Sequence, residues 1–336
     1  MIQVAAFDTF GLEHLRLQDR PQASLGPQDV RVRIHAASLN YRDLLMIQGL
    51  YNPRLGLPLI PCSDGAGEVL EVGSEVEDLN VGDRVCSTMI PDWEEGEPGS
   101  MLLNTTLGGP VDGMLARERV LPRQAWLKLP DYLDYDQAAT LPVAGLTAWT
   151  ALVTEGGIER GSRVLLLGTG GVSIMALQIA KALGAEVIIT SSSDEKLARA
   201  KEMGADHTIN YRTHPKWEKE VLALAPGGVD LVVEVGGDGT FDRSVKSARV
   251  GGRIALIGVL AAQNTPVNLT SVIMKKIRVQ GILVGSRADF KAYLAFLAEH
   301  RLEPVIDRVF EGLDQASSAF EVMAAGRHFG KIVVRI

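Results

Sequence analysis

The sequence predicts an α/β fold in which a mostly-β domain accompanies a domain with a doubly wound parallel sheet. Between residues 160 and 284, short apolar segments alternate with helical patterns, which is typical of a parallel sheet covered by helices on both faces. Residues 1 to about 130 instead contain short β-like runs that glycine, proline and aspartate interrupt. The predicted domains are residues 1–130 with 285–336, and residues 131–284.

The predicted elements follow from apolar runs and from the residues that end them. Val, Ile and Leu dominate six segments of the second domain, and Gly184 and Gly204 end the helical patterns 174–183 and 194–203. In the tail, residues 289–299 and 314–325 have helical patterns, and strands 305–310 and 331–336 need partners, which the first domain can supply. The six predicted parallel strands are 163–167, 186–190, 207–209, 229–233, 253–257 and 277–283.

A glycine-rich turn follows the first of these parallel strands. Residues 168–173 read Gly-Thr-Gly-Gly-Val-Ser and open the helical pattern that comes next. Such a turn brings backbone N–H groups and a helix N-terminus against a pyrophosphate, and glycine keeps side chains out of the way. The third motif position is Ser173 rather than glycine, so the strand–turn–helix context carries the prediction. The chain is predicted to bind a dinucleotide; an ordinary turn of an α/β protein is the alternative.

The end of the second parallel strand indicates which dinucleotide is bound. An NAD site usually has an acidic residue there, whereas this chain has Ser191-Ser192-Ser193 and then Lys196. Hydroxyls and an ammonium can bind a 2′-phosphate that a carboxylate would repel. The nearby Asp194 fits a helix cap or first turn better, in competition with Ser193. We therefore predict NADPH rather than NADH; the alternative is that the serines form a plain turn and that Lys196 is solvated.

Composition fits a cytoplasmic enzyme. The 336 residues suffice for two domains, and 46% hydrophobic with 22% charged residues is ordinary for a globular protein. A net charge of −7 argues against nucleic-acid and anionic-membrane partners. No apolar run approaches the ~20 residues of a membrane span, and the N-terminus lacks the pattern of a secretory signal. The two cysteines, Cys62 and Cys86, favour a reduced compartment over a disulfide framework.

With these segments considered together, the chain resembles the medium-chain dehydrogenase/reductase superfamily along essentially its whole length. The resemblance implies a GroES-like catalytic domain split by a Rossmann domain, in agreement with the division above. Besides the glycine turn, it rests on Asn40-Tyr41-Arg42-Asp43, Pro61-Cys62-Ser63-Asp64-Gly65, Gly145-Leu146-Thr147-Ala148-Trp149 and Gly330-Lys331-Ile332-Val333-Val334.

The resemblance implies a member of the family without zinc. A catalytic cysteine of the zinc alcohol dehydrogenases falls on Asn40, their histidine–glutamate pair on Ser63 and Asp64, and their second cysteine near Val143. A catalytic zinc site needs three protein ligands, and of these residues only Asp64 could coordinate. The region around residues 91–109, where relatives carry a structural-zinc lobe, contains no cysteine. No metal is therefore predicted.

Without zinc, the chain looks like the quinone oxidoreductases and enone reductases. Alcohol oxidation needs a Lewis acid or strong base, whereas hydride addition to a quinone or conjugated C=C needs mainly hydrogen-bond donors at the carbonyl oxygen. The predicted function is NADPH-dependent reduction of a quinone or α,β-unsaturated carbonyl. The alternatives are a zinc-free alcohol dehydrogenase or carbonyl reductase, and a low-turnover NADPH-binding protein.

The resemblance also assigns candidate site residues. Asn40 and Tyr51 are the candidate catalytic residues, although Leu45 stands where the quinone reductases often have a further tyrosine. Thr147 is expected at the nicotinamide ribose or carboxamide, and Ser192, Lys196 and Tyr211 around the 2′-phosphate. The residues expected at the pyrophosphate are Gly168, Thr169, Gly170, Gly171 and Val172, and those along the nicotinamide half are Gly236, Gly258, Val259, Leu283 and Val284.

A homodimer is predicted from the last parallel strand, residues 277–283. A bare apolar edge invites pairing, and relatives join their sheets at this edge about a two-fold axis. The alternative is that C-terminal helices shield the edge within one chain.

Overall fold

The computed structural model describes residues 1–100, 102–258, 260 and 267–336. These residues form two compact units. The first unit is Met1–Leu146 with Ser286–Ile336, and the second is Thr147–Gly285. Within the described ranges, none of the helices combines the length and apolar character that a membrane crossing requires.

The N-terminal part of the first unit is mostly strand, as predicted. Some of its strands alternate apolar and polar residues, and glycine or proline ends or follows three of them, at Pro21, Gly73 and Pro122. Its elements are β1 (Ile2–Ala6), β2 (Arg16–Arg20), β3 (Asp29–Ser38), α1 (Tyr41–Ile47), β4 (Asp64–Val72), β5 (Arg84–Ser87), β6 (Glu118–Pro122), β7 (Trp126–Lys128) and α2 (Tyr135–Ala139), followed by α3 (Leu146–Trp149) at the junction.

The second unit alternates strands and helices. Helix α5 (Asp194–Glu202) shows why, because Ser193 caps its start and Gly204, with φ of 99°, follows its end. The elements are β8 (Arg163–Leu166), α4 (Gly171–Ala182), β9 (Glu186–Ser191), α5 (Asp194–Glu202), β10 (His207–Asn210), α6 (Trp217–Leu224), β11 (Val229–Glu234), α7 (Asp238–Ser247), β12 (Ala248–Leu256), α8 (Leu269–Met274) and β13 (Arg278–Gly281).

The tail adds two helices and two strands to the first unit. They are α9 (Arg287–His300), β14 (Ile306–Glu311), α10 (Ala316–Ala324) and β15 (Lys331–Arg335). Strand β15 pairs antiparallel with β3, so the expected return of the tail is correct. The seven-stranded sheet has the order β14-β15-β3-β4-β5-β7, with β6 also on β3, and Phe7, Trp126 and Phe320 lie in its core.

The second unit contains a six-stranded sheet of order β10-β9-β8-β11-β12-β13, in which every pair is parallel. Counted along the chain this order is 3-2-1-4-5-6, the order of a doubly wound dinucleotide-binding sheet. The predicted α/β fold class is thus confirmed. Ligands bind such sheets at the carboxyl ends of the strands where the order reverses, here between β8 and β11.

Two boundaries differ from the sequence prediction. The first unit continues to Leu146, whereas residue 130 was the expected end, because α2 packs against β3 and β4. Strand β13 stops at Gly281 rather than at 283, and all four of its residues are exposed. Only Val279 among them is apolar, because Ile277 and Ile282 turn inward. At this edge, β13 therefore presents unpaired backbone groups rather than a row of apolar side chains.

Candidate active site

The glycine turn lies at the switch point of the six-stranded sheet. It follows the end of β8, and Gly168 adopts φ of 74°, a left-handed conformation that favours glycine. A Cβ atom added at Gly168 or Gly170 would meet no heavy atom within 4 Å. Because the residue before α4 is Gly170, the capping position itself has no side chain to cover the first N–H groups of that helix. This open cradle fits the pyrophosphate of a dinucleotide.

Ser173 occupies the third position of the glycine motif without blocking the turn. Its hydroxyl donates a hydrogen bond to the carbonyl oxygen of Leu167 at 2.7 Å and is buried. The N–H of Gly168 donates to Thr190 Oγ1 at 3.3 Å, which ties the turn to β9. The departure from the glycine pattern is therefore accommodated inside the turn.

Ser193 rather than Asp194 caps α5. Its hydroxyl oxygen accepts a hydrogen bond from the Lys196 N–H at 3.4 Å. The Asp194 carboxylate instead accepts from Asn210 Nδ2 at 2.7 Å, so the acid that comes first after β9 is held by an amide on β10.

The three residues expected at the 2′-phosphate lie at one edge of the sheet. Ser192 follows the end of β9, and Lys196 is in the first turn of α5. Tyr211 follows β10 and donates its N–H to the carbonyl oxygen of Ser191 at 3.0 Å, beside Ser192. Tyr211 is 41% exposed and Ser192 is half-buried. The pairing of β9 with β10 thus brings together residues that the sequence separates.

The residues expected along the nicotinamide half differ in their packing and burial. A Cβ at Gly236 would lie 2.3 Å from Thr240 Oγ1, and one at Gly258 would lie 2.4 Å from the Val235 oxygen. These glycines are needed for close packing of the chain itself. Val284 and Thr147 are buried, Leu283 is partly exposed beyond the end of β13, and Val259 lies outside the described residues.

Glu234 was not predicted, yet it organises the turn after β11. Its buried carboxylate accepts hydrogen bonds from the N–H groups of Gly236 at 2.7 Å and Gly237 at 3.1 Å. It also accepts from the hydroxyls of Thr240, at 2.6 Å, and Ser244. An acid at the end of an apolar strand, directly before Val-Gly-Gly, was the available sequence signal.

A buried polar cluster forms in the first unit around Asp64. Its Oδ2 accepts hydrogen bonds from Ser38 Oγ at 2.9 Å and from Asn40 Nδ2 at 2.8 Å. Lys331 Nζ donates to Asn40 Oδ1 at 2.7 Å and lies 3.4 Å from Asp64 Oδ2. Antiparallel pairing places Ser38 opposite Asp64 in β4 and opposite Val333 in β15, so sheet register assembles the cluster. Asn40 is 8% exposed.

Asn40 and Tyr51 were the candidate catalytic residues, and the structure shows the contacts that each side chain makes. The Asn40 amide already binds Lys331 and Asp64, which leaves one N–H of Nδ2 for a substrate oxygen. The Tyr51 ring is about half exposed and lies with its centroid 5.5 Å from the Arg42 guanidinium. Both catalytic assignments stay predictions.

Arg42 and Ser63 form a second buried contact beside this cluster. The Arg42 guanidinium donates to Ser63 Oγ and to the Leu107 carbonyl oxygen at 3.1 Å. Ser63 Oγ in turn donates to the same Leu107 oxygen at 2.8 Å. The Ser63 hydroxyl, which stands where zinc-dependent relatives have a histidine, thus holds the loop at Leu107.

Burial changes the acidity of the groups in this region. Desolvation raises the pKa of the Asp43 carboxyl to about 6, although Arg42 beside it acts in the opposite direction. Burial likewise raises the pKa of Asp64, which Lys331 and Asn40 partly offset. The pKa of the buried Cys62 thiol is raised by desolvation and by the nearby carboxylates, so this thiol is a poor nucleophile.

Across the part of the chain that the structure describes, no group of three or more His, Cys, Asp and Glu side chains could hold a metal ion. At the positions where the zinc ligands of relatives fall, Asn40 contacts Lys331 and Ser63 contacts Arg42. These side chains form hydrogen bonds with cations of the chain itself.

A dinucleotide cradle at the switch point of a parallel sheet, in a chain that also carries a mostly-β unit with a buried polar cluster, is typical of nicotinamide-dependent oxidoreductases. The chain matches the family models of the alcohol dehydrogenase GroES-like domain over residues 26–131 and of the zinc-binding dehydrogenases over residues 171–299.

Relatives cover nearly the whole chain. A zinc-type alcohol dehydrogenase-like protein of Schizosaccharomyces pombe is 40% identical over 341 residues, which are 99% of this chain and 97% of the relative. A quinone oxidoreductase of Pseudomonas aeruginosa is 34% identical over 346 residues, 99% of this chain and 98% of its own. A solved NAD-dependent alcohol dehydrogenase gives a TM-score of 0.91 at 34% identity, with 99% of each chain covered. The chain therefore belongs to the medium-chain dehydrogenase/reductase superfamily and is an NAD(P)H-dependent oxidoreductase.

Proposed function

We propose that this enzyme uses NADPH to reduce a quinone or an α,β-unsaturated carbonyl compound without zinc. The observation that carries the proposal is the Asn40–Asp64–Lys331 cluster, which supplies a hydrogen-bond donor and no ligand set where zinc relatives coordinate metal. The quinone oxidoreductase among the relatives supports the quinone arm of the proposal.

The reaction balances with one hydride and one proton. When bound, NADPH would supply the hydride from its nicotinamide C4–H bond and leave as NADP⁺. For an enone the hydride would add to the β carbon, and water would supply the proton that the α carbon takes. For a quinone, the same hydride and proton would give the hydroquinone. The free N–H of Asn40 is proposed to stabilise the negative charge that develops on the carbonyl oxygen. Tyr51, with an exposed ring, is proposed as a second donor to substrate.

The proposed cofactor residues divide by the part of NADPH that they hold. The turn Gly168–Val172 holds the pyrophosphate, Ser192, Lys196 and Tyr211 the 2′-phosphate, and Thr147 the nicotinamide end. Gly236 and Gly258 shape the backbone of that end, which Leu283 and Val284 complete.

A panel of quinones, enones and alcohols with each reduced or oxidised cofactor tests the proposal. Turnover of quinones or enones with NADPH is the expected result. A zinc-free alcohol dehydrogenase is the second candidate, because the S. pombe relative is named alcohol dehydrogenase-like. Alcohol oxidation without enone or quinone reduction would favour that candidate and would contradict the proposal.

NADPH selectivity is expected to depend on Lys196. The ammonium can bind the 2′-phosphate, which NADH lacks, so Lys196→Ala should remove most of an about tenfold preference for NADPH, the value of one charge-assisted bond. Fluorescence titration with both reduced cofactors measures the preference. Lys201→Ala is the matched control, because Lys201 is on the same helix and its ammonium binds the Asp206 carbonyl. Equal or tighter binding of NADH by the unmodified chain would contradict NADPH selectivity.

A homodimer is proposed through β13, whose open backbone edge can pair with the same strand of a second copy. Light scattering at micromolar concentration should give about twice the chain mass of 36.2 kDa. Val279→Pro, which removes a backbone donor, should give a monomer or an insoluble protein, whereas Val279→Ala keeps the donor and the dimer. A monomeric mass for the unmodified chain would refute the dimer.

A further inference from the structure

Lys331 contacts the candidate catalytic amide in a way that fixes which of its ends is oxygen. An ammonium only donates hydrogen bonds, so the Asn40 atom 2.7 Å from Lys331 Nζ must be the oxygen. An ionised carboxylate only accepts, so the atom 2.8 Å from Asp64 Oδ2 must be the nitrogen. If the amide rotated by half a turn, its NH₂ group would face the Lys331 ammonium and its oxygen would face the Asp64 carboxylate. Both contacts are unfavourable, and burial makes them costly.

The ammonium is itself held in place. Its three N–H groups match three acceptors, namely the Leu39 carbonyl oxygen at 2.7 Å, Asn40 Oδ1 and Asp64 Oδ2. Lys331 is 3% exposed and begins β15, which pairs with the end of β3, and β3 ends at Ser38, two residues before Asn40. The lysine is thus anchored to the backbone next to the side chain that it orients.

We propose that Lys331 is a positioning residue which, together with Asp64, orients the Asn40 carboxamide so that its one unused N–H is presented to the substrate oxygen. The inference rests on the proposed function, in which that N–H stabilises the developing charge. Lys331 does not touch substrate and acts only through Asn40.

A double-mutant cycle tests this dependence. Asn40→Ala should lower kcat by about 100-fold, the usual effect of losing one such donor. Lys331→Met should lower kcat by about tenfold, because only the Asp64 carboxylate then holds the amide and its oxygen end is no longer fixed. In the Asn40→Ala background, Lys331→Met should have no further effect on kcat, since there is no amide left to orient. If the loss of kcat in the double variant equals the product of the losses in the two single variants, the proposal is overturned.

Two further variants separate positioning from folding. Lys331→Met alone leaves the Asp64 carboxylate buried and unpaired, so Lys331→Met with Asp64→Asn removes both charges. This pair should recover the melting temperature while kcat stays low; recovery of kcat along with stability would show a structural role only. Lys181→Met is the control, because Lys181 also binds a carboxylate and a carbonyl oxygen, those of Asp206 and Ala185, and should leave kcat unchanged.

The amide orientation can be read without turnover. In protein labelled with ¹⁵N-asparagine, the Asn40 side-chain N–H bonded to Asp64 should be shifted downfield and slow to exchange. Lys331→Met should weaken both properties, because only Asp64 then holds the amide. If these properties are present but quinones and enones are not reduced, the proposed function fails while the orientation stands. An Asn40 signal that Lys331→Met leaves unchanged would overturn the inference whatever the activity.

Discussion

Gly170→Val is expected to weaken NADPH binding by about 100-fold or more while the protein stays folded. Gly170 has φ of −80°, which valine tolerates, and a Cβ there meets no protein atom within 4 Å. The side chain would instead fill the space proposed for the pyrophosphate and separate it from the first N–H groups of α4. Losing hydrogen bonds to a charged phosphate costs about 3 kcal/mol, which is about 100-fold in affinity. Isothermal titration with NADPH measures the loss.

Gly56→Val is the matched control for this substitution. A Cβ at Gly56 also meets no heavy atom within 4 Å, and the residue belongs to the first unit, whereas the glycine turn belongs to the second. It should leave the dissociation constant of NADPH unchanged. If Gly170→Val binds NADPH as tightly as the unmodified chain, the pyrophosphate does not lie against this turn.

Glu234→Leu is expected to lower the free energy of unfolding by about 3–5 kcal/mol. The substitution leaves the N–H groups of Gly236 and Gly237 and the Ser244 hydroxyl without their acceptor. The Thr240 hydroxyl can still donate to the Gly237 carbonyl oxygen at 3.2 Å. Each unsatisfied buried donor costs about 1–3 kcal/mol, and partial relaxation reduces the sum. Urea unfolding followed by circular dichroism measures the loss.

Glu234→Gln tests the reason for that loss. A glutamine oxygen can still accept from Gly236, Gly237 and Thr240, while its NH₂ group can donate to the Ser244 hydroxyl. The loss should therefore stay below about 1.5 kcal/mol, the net value of a typical hydrogen bond. Equal destabilisation by leucine and glutamine would mean that the negative charge, rather than the acceptor geometry, stabilises the turn.

Local patterns predicted the second unit well. The turn at Gly168 and the helix caps at Ser193 and Gly204 depend on neighbours in sequence, and the structure has each of them where the sequence indicates. Strand ends were predicted less well, because β13 stops at Gly281 when Ile282 turns inward, which depends on packing rather than on residue type.

The polar cluster could be predicted only in part. Asn40 and Asp64 were singled out because they fall where relatives have zinc ligands, but nothing local indicates that Lys331 meets them. That contact depends on the register of β15 against β3, which the tail sequence does not specify. The role of Glu234 was missed for a different reason. An acid at the end of an apolar strand usually indicates an exposed position. Glu234 is instead buried, and its carboxylate accepts hydrogen bonds from four donors.

Transfer of isotope from NADPH carrying deuterium at the transferable C4 position of the nicotinamide tests the central claim most directly. The protein is first dialysed against a chelator, and metal analysis must show well under one equivalent of zinc. It is then mixed with a simple enone or a simple quinone. The account predicts undiminished turnover, with deuterium at the β carbon of the reduced enone. Turnover that is lost on chelation and restored by stoichiometric zinc, or deuterium appearing only at the carbonyl carbon, would contradict it.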